Sequence, residues 1–201
     1  MAQYPYIPAY WRTVVRSTRK INLVCLHAMQ APEKGTTATS VAEYFRRGCP
    51  DANGRRRPAS AHVCVDGGDQ ETATVQCVRL NDVAYGAPSI NHDGFHIEQA
   101  GYSEQTAQEW DDPYSDLVII RAAKVAAEVV VRYNLPARFQ VAQELRAGGA
   151  RGITTHLEAS KAFKPGGHWD PGPNYPVGRF MRILREQIEE FTAGNREYRL
   201  R

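Results

Sequence analysis

The chain has 201 residues, enough for one domain with a sizeable core. Its hydrophobic fraction of 42% and charged fraction of 23% are those of an ordinary globular protein, and the net charge of +3 is too mild to name an anionic partner. No stretch is apolar for long enough to span a membrane, and the opening MAQYPYIPAYWRT lacks the charged and apolar regions of a Sec signal, so synthesis in a cytoplasm without export by that route is expected.

Residues 1–20, with Pro5, Pro8 and scattered aromatics, read as an extended arm packed on the domain. Ile21 to His27 is a buried strand whose apolar run stops at His27. A polar loop follows, and Thr39 or Ser40 caps a helix through Arg47, with Val41, Tyr44 and Phe45 as core contacts. Cys49 to Pro58 is a loop. Its triplet Arg55-Arg56-Arg57 lacks the interleaved aromatics of a nucleic-acid surface, so no nucleic-acid partner is expected. Ser60 to Asp66 is a strand, Gly67-Gly68 its turn and Thr72 to Val78 its hairpin partner; Val83 to Pro88 is a short strand and turn.

Gly94 to Gly101 is a further strand, in which period-two geometry puts His96 and Glu98 on one face and Phe95 and Ile97 on the other. A polar loop holding Trp110 leads to a helix capped by Ser115 or Asp116. Its apolar stripe is Leu117, Ile120, Ala123, Ala127, Val130 and Val131. A short helix within Arg138 to Ala147 stops at Gly148-Gly149, and Val177 to Phe191 is a final amphipathic helix. The four cysteines form no Cys-x-x-Cys pair, and free thiols are expected rather than a disulfide framework. The division expected is an arm over 1–20, a single domain over 21–193 and a polar, frayed tail over 194–201.

The chemistry concentrates between Gly152 and Pro176, GITTHLEASKAFKPGGHWDPGPNYP. A β-branched strand ends on His156, a polar loop rich in Lys and Gly follows, and His168-Trp169-Asp170 meets Pro171-Gly172-Pro173. Two imidazoles and a carboxylate brought to one point are ligand types that zinc takes. The rigid Pro-Gly-Pro run would hold Asp170 in place. His27, at the end of a distant strand, is a further candidate ligand. Taken alone, His27 reads as a strand-end or satisfied core histidine, and Glu98 as a solvated strand carboxylate. His168 could replace His156 as ligand.

LVCLHAMQ, GITTHLEAS and GGHWDPGPNYP resemble the zinc-dependent N-acetylmuramoyl-L-alanine amidases of the peptidoglycan-recognition-protein-like type, which include many phage endolysins. SAHVCVD and VAYGAPSINHDGFHIEQAGY resemble that family's middle block less closely. The resemblance covers roughly residues 21–191 and implies an α/β fold, a central mixed β-sheet flanked by α-helices. It implies Zn2+ held by His27, His156 and Asp170, with Glu98 as the catalytic carboxylate. His62 falls at a supporting histidine rather than a ligand. His168 stands where the family usually has a Lys near the developing oxyanion. Gly86 stands where it usually has His, and His96 where it usually has Gly. His96, Trp110 and Trp169 are expected to line the substrate groove. The implied activity is hydrolysis of the amide between N-acetylmuramic acid and L-alanine in peptidoglycan, by a monomeric phage lysin made in the host cytoplasm and acting on the wall after release. A cytoplasmic amidase recycling wall fragments and a non-catalytic peptidoglycan-binding module are the competing readings. A His-Glu-x-x-His peptidase is disfavoured, since that motif does not occur.

Overall fold

The computed structural model describes residues 3–194 and 197–201. In chain order the elements are β1 (Arg12–Thr13), β2 (Leu23–Ala28), α1 (Thr37–Arg46), β3 (Val63–Val65), β4 (Thr74–Gln76), β5 (Val83–Ala84), β6 (Gly94–Gln99), α2 (Pro113–Arg132), α3 (Ala142–Ala147), β7 (Gly152–Thr155), α4 (His156–Phe163) and α5 (Val177–Thr192). Five strands form one sheet in the order β4-β3-β6-β2-β7, and β1 pairs β5 separately. β2 runs parallel to both β6 and β7, β3 runs parallel to β6, and β4 is antiparallel to β3, so the sheet is mixed.

Strand alternation divides this sheet into two unlike faces. Val24, Leu26, Phe95, Ile97, Val63, Val65 and Ile153 face a core closed by α2 and α5, with Val118, Ile119, Ala122, Phe180 and Leu184 buried against them. The opposite face is covered at both ends and open between them. At one end α1 buries Ala38, Ala42 and Phe45 with Cys64, Val75 and Cys77. At the other, α3 and α4 bury Leu145 and Ala159 over Leu23 and Cys25. The gap between these two patches holds the polar residues of β2 and β6.

Several expectations are corrected here. α1 starts at Thr37, ahead of Thr39, and Thr36 makes no side-chain cap. Asp66 supplies it from afar, its Oδ2 accepting the Ala38 N–H at 2.9 Å. α2 is capped by Asp112, which accepts from the Ser115 N–H, and its buried stripe runs through Val118, Ile119 and Ala122 while Leu117 is exposed. The charged residues Arg121, Lys124, Glu128 and Arg132 recur at helical spacing and share a face with Leu117, a signal that the expected stripe overlooked. The loop expected after His156 is helix α4, capped by Thr155 Oγ1 on the Glu158 N–H at 3.2 Å. Residues 195–196 lie outside the described residues, but residues 197–201 of the expected tail are anchored. Leu200 is buried, and the Glu128 carboxylate accepts the N–H groups of Arg199 and Leu200 at 3.0 and 2.8 Å. The arm is tied down by β1 and by the N–H groups of Ile7 and Ala9, which donate to Gln76 and Cys77 carbonyls. All four cysteines are free and buried.

Candidate active site

Three parallel neighbours, β2, β6 and β7, end side by side, and in such sheets ligands gather beyond the carboxyl ends of the strands. His27 pairs in register with Glu98 across β2 and β6. Leu26 pairs with Thr155 across β2 and β7, so His156, one residue on, arrives level with His27. Asp170 lies on the next loop and is fastened to His156's helix by the Leu157 N–H, which donates to the Asp170 carbonyl at 2.7 Å. The chain then turns tightly at Gly172, whose φ of +98° suits only glycine. A Cβ there would overlap the Ser103 carbonyl.

The Asp170 carboxylate sits between the two imidazoles. Its Oδ2 is 3.0 Å from His27 Nδ1 and its Oδ1 is 3.0 Å from His156 Nδ1. Donor atoms of the three residues lie within 4.8 Å of one another. A tetrahedral zinc site with bonds of roughly 2.0–2.2 Å separates its ligand atoms by roughly 3.3 Å. The donor set and its spacing therefore fit a zinc ion. Burial alone would raise the Asp170 carboxyl, but hydrogen bonds from His156 and His27 outweigh it and hold the group well below the usual carboxylate range.

Glu98 shares the cleft. Its Oε2 is buried and has no hydrogen-bond partner among the described residues. Burial, and then the Asp170 charge, raise its carboxyl from 4.5 to about 8, with His156 pulling the other way. His168 is exposed, stacks on His156 with ring centroids 4.5 Å apart, and holds Nδ1 4.0 Å from Asp170 Oδ1. Burial of its inner edge, and then His156, lower its pKa, so near neutral pH it is a hydrogen-bonding imidazole rather than a cation. The cleft, ≈ 230 Å³, has Tyr85, His168 and Trp169 among its walls. A larger cavity of ≈ 690 Å³ lies among Tyr6, Arg12, Arg79, Arg132 and Arg201 and contains none of these groups.

Two expected groove residues are corrected. Trp110 is 0% exposed, packed edge-on to Tyr175 at 5.2 Å, and offers no face to a sugar. Its polar neighbours in sequence suggest a surface loop, but the indole turns inward beneath α5. His96 is also 0% exposed and lies behind His27, its Nδ1 3.0 Å from His27 Nε2, so it cannot touch substrate. Trp169 is 43% exposed at the rim and keeps a free face. His62 is buried and accepts the His96 N–H at Nδ1, a supporting role in line with its expected place.

Sequence reasoning missed Cys25. With His27 and His96 it forms a second cluster that could hold a metal. Its thiol is fully buried, and burial, then Asp170 and Glu98, raise its pKa well above the ordinary value. Cys25 and His96 do not line the cleft, whereas His27, His156 and Asp170 all do, so the latter set fits a metal that meets substrate. The signal for Cys25 was period two along β2, which puts it on His27's face.

Residues 17–173 match the sequence profile of the N-acetylmuramoyl-L-alanine amidase family. The chain belongs to this family. The amidase fold recurs among solved structures. The Staphylococcus aureus hydrolase AmiA, solved in complex with its ligand, is 15% identical, with a TM-score of 0.67 over 96% of this chain and 85% of that one. The corresponding values for a selenomethionine derivative of AmpD are 19%, 0.62, 92% and 96%. For the amidase LysC from Clostridium intestinale they are 14%, 0.53, 92% and 99%. No curated protein matches this amidase in sequence. At these identities the structures speak for the fold, the mixed sheet flanked by helices, and the family match speaks for the enzyme.

Proposed function

We propose that this amidase is a zinc enzyme of the phage endolysin kind, hydrolysing the bond between the N-acetylmuramic acid lactyl group and L-alanine in peptidoglycan. The observation that carries the reading is Asp170, held between His27 Nδ1 and His156 Nδ1 at 3.0 Å each, beside the unpartnered carboxyl oxygen of Glu98. His27, His156 and Asp170 would hold the metal. His156 rather than His168 is the ligand, because it lies within the compact donor cluster and His168 does not. When bound, zinc supplies Lewis acidity, which makes water a competent nucleophile near neutral pH.

The protein's own groups do the rest. Glu98, ionised beside a cation, accepts the proton of the attacking water and delivers it to the leaving amine as the C–N bond breaks, leaving a carboxylic acid and a free L-alanine amino group. His168, at the rim and neutral, donates an N–H hydrogen bond toward the oxygen that gains charge. Trp169 presents its free face to the substrate beside that position. The substrate partner is the glycan strand with its stem peptide. Nucleic acid and membrane insertion have no part, and the enzyme works as a monomer on the wall after release from the cell that makes it.

The test is incubation of the purified protein with intact peptidoglycan, with and without a zinc chelator, measuring new alanine amino termini and new reducing sugar ends. Amino termini that vanish with chelator support the reading. Activity on soluble muropeptides but not on intact wall moves it to the recycling amidase. Binding without product moves it to a recognition module.

A further inference from the structure

We propose that His96 is a positioning residue for His27: its Nδ1 accepts the Nε2–H of His27, locking that ring so that Nδ1 is kept for the metal. The inference rests on the zinc reading above. Both nitrogens of His27 are engaged, Nδ1 toward Asp170 and Nε2 toward His96 Nδ1, each at 3.0 Å. If Nδ1 offers its lone pair to a metal, the single proton of a neutral His27 sits on Nε2, and the atom it meets must be an acceptor. His96 Nδ1 is that acceptor, which places the His96 proton on Nε2, a buried atom with no hydrogen-bond partner among the described residues. Ligating histidines commonly donate their second N–H to a fixed partner, and that partner sets tautomer, orientation and affinity.

His96 is itself fixed. Its backbone N–H donates to His62 Nδ1 at 3.0 Å, and the two rings stack with centroids 5.8 Å apart and planes 13° apart. His62 Nε2 in turn lies 3.1 Å from the Asp82 carbonyl. The space for the His96 ring exists only because residue 86 is glycine. A Cβ on Gly86 would stand 2.6 Å from His96 Nδ1 and 2.7 Å from its Cγ. A side chain at position 86 and an imidazole at position 96 therefore exclude each other. The two departures from the family motif, Gly86 and His96, are therefore one arrangement: the imidazole on β6 fills space that a side chain at position 86 would take.

The experiment compares wild type, His96→Asn and His96→Leu by zinc titration against a chromophoric chelator, with the melting temperature of each metal-free protein alongside. Asn places an acceptor oxygen near the position of Nδ1, whereas Leu fills volume without one. His96→Leu is expected to weaken zinc binding by about 10–100-fold, and His96→Asn to restore most of that loss. Zinc affinity of His96→Leu within about twofold of wild type would overturn the inference. So would equal losses in both variants that merely track their melting temperatures. Zinc-loaded wild type, which needs no variant to fold, should show a through-hydrogen-bond 15N–15N coupling between His27 Nε2 and His96 Nδ1, and its absence would also overturn the inference. A wild type that binds no zinc would instead sink the metal reading beneath it.

Discussion

Replacing Glu98 by Gln should make the metal-free protein more stable while disabling the enzyme. The Glu98 carboxyl is raised from 4.5 to about 8, first by burial and then by Asp170. The folded state thus holds this proton more tightly than the unfolded chain between those two values. Stability from this group is fully present below pH 4.5, falls as pH rises, and levels off above about 8. At 1.36 kcal/mol per pH unit the full effect has a ceiling of about 5 kcal/mol, and solvent in the cleft screens part of it, so about 1–3 kcal/mol is expected at neutral pH. Gln keeps the shape and never ionises. Chemical unfolding of both proteins in chelator should show Glu98→Gln ahead by that amount near pH 7.5, and by less than half of it near pH 5. With zinc restored the advantage should vanish, because the carboxylate then faces a positive charge. Amide hydrolysis should fall by about 10²–10⁴-fold with zinc affinity little changed. A less stable variant, or an advantage equal at both pH values, would refute the account of Glu98 as a desolvated, unpartnered carboxyl.

Zinc content separates the two histidines of the 152–176 segment: His156→Ala should lose the metal and His168→Ala should retain it while turning over more slowly, and full zinc in His156→Ala would reverse the assignment. Two tryptophans should behave oppositely. Trp110→Ala should cost about 3–5 kcal/mol of stability as a core truncation, and Trp169→Ala should leave the melting temperature nearly unchanged while weakening action on peptidoglycan. Gly172→Ala, which drives a Cβ into the Ser103 carbonyl at a positive φ, should unfold at lower denaturant and release zinc, read by the same two assays. His62 is held far below its ordinary pKa, by burial first and then by Arg19, so it stays neutral when folded. Its contribution is complete above about pH 6.5 and is lost at up to about 1.4 kcal/mol per pH unit below that. Denaturation of the metal-free protein between pH 7 and 5 should therefore be less acid-sensitive in His62→Gln.

Local signals along this chain named most of the elements and the candidate ligands. The run ending at His27, the β-branched strand ending at His156, and Asp170 before Pro-Gly-Pro are patterns of a few residues each, and period two along GFHIEQAG set Glu98 apart from Phe95 and Ile97. Such features depend on propensity, alternation and turn chemistry, which a sequence displays directly. Long-range pairing decided the rest. Register between β2, β6 and β7 levels His27, Glu98 and His156; burial beneath α5 makes Trp110 a core residue; Asp66 caps a helix nearly thirty residues before it; and Glu128 anchors the C-terminal segment. Gly86 and His96 show the limit most clearly. Read along the chain they are two separate departures, and only the packed sheet, where one ring fills the space another residue leaves open, makes them a single arrangement around His27. A residue's type is written in the sequence, but what it excludes and supports depends on neighbours that only folding supplies.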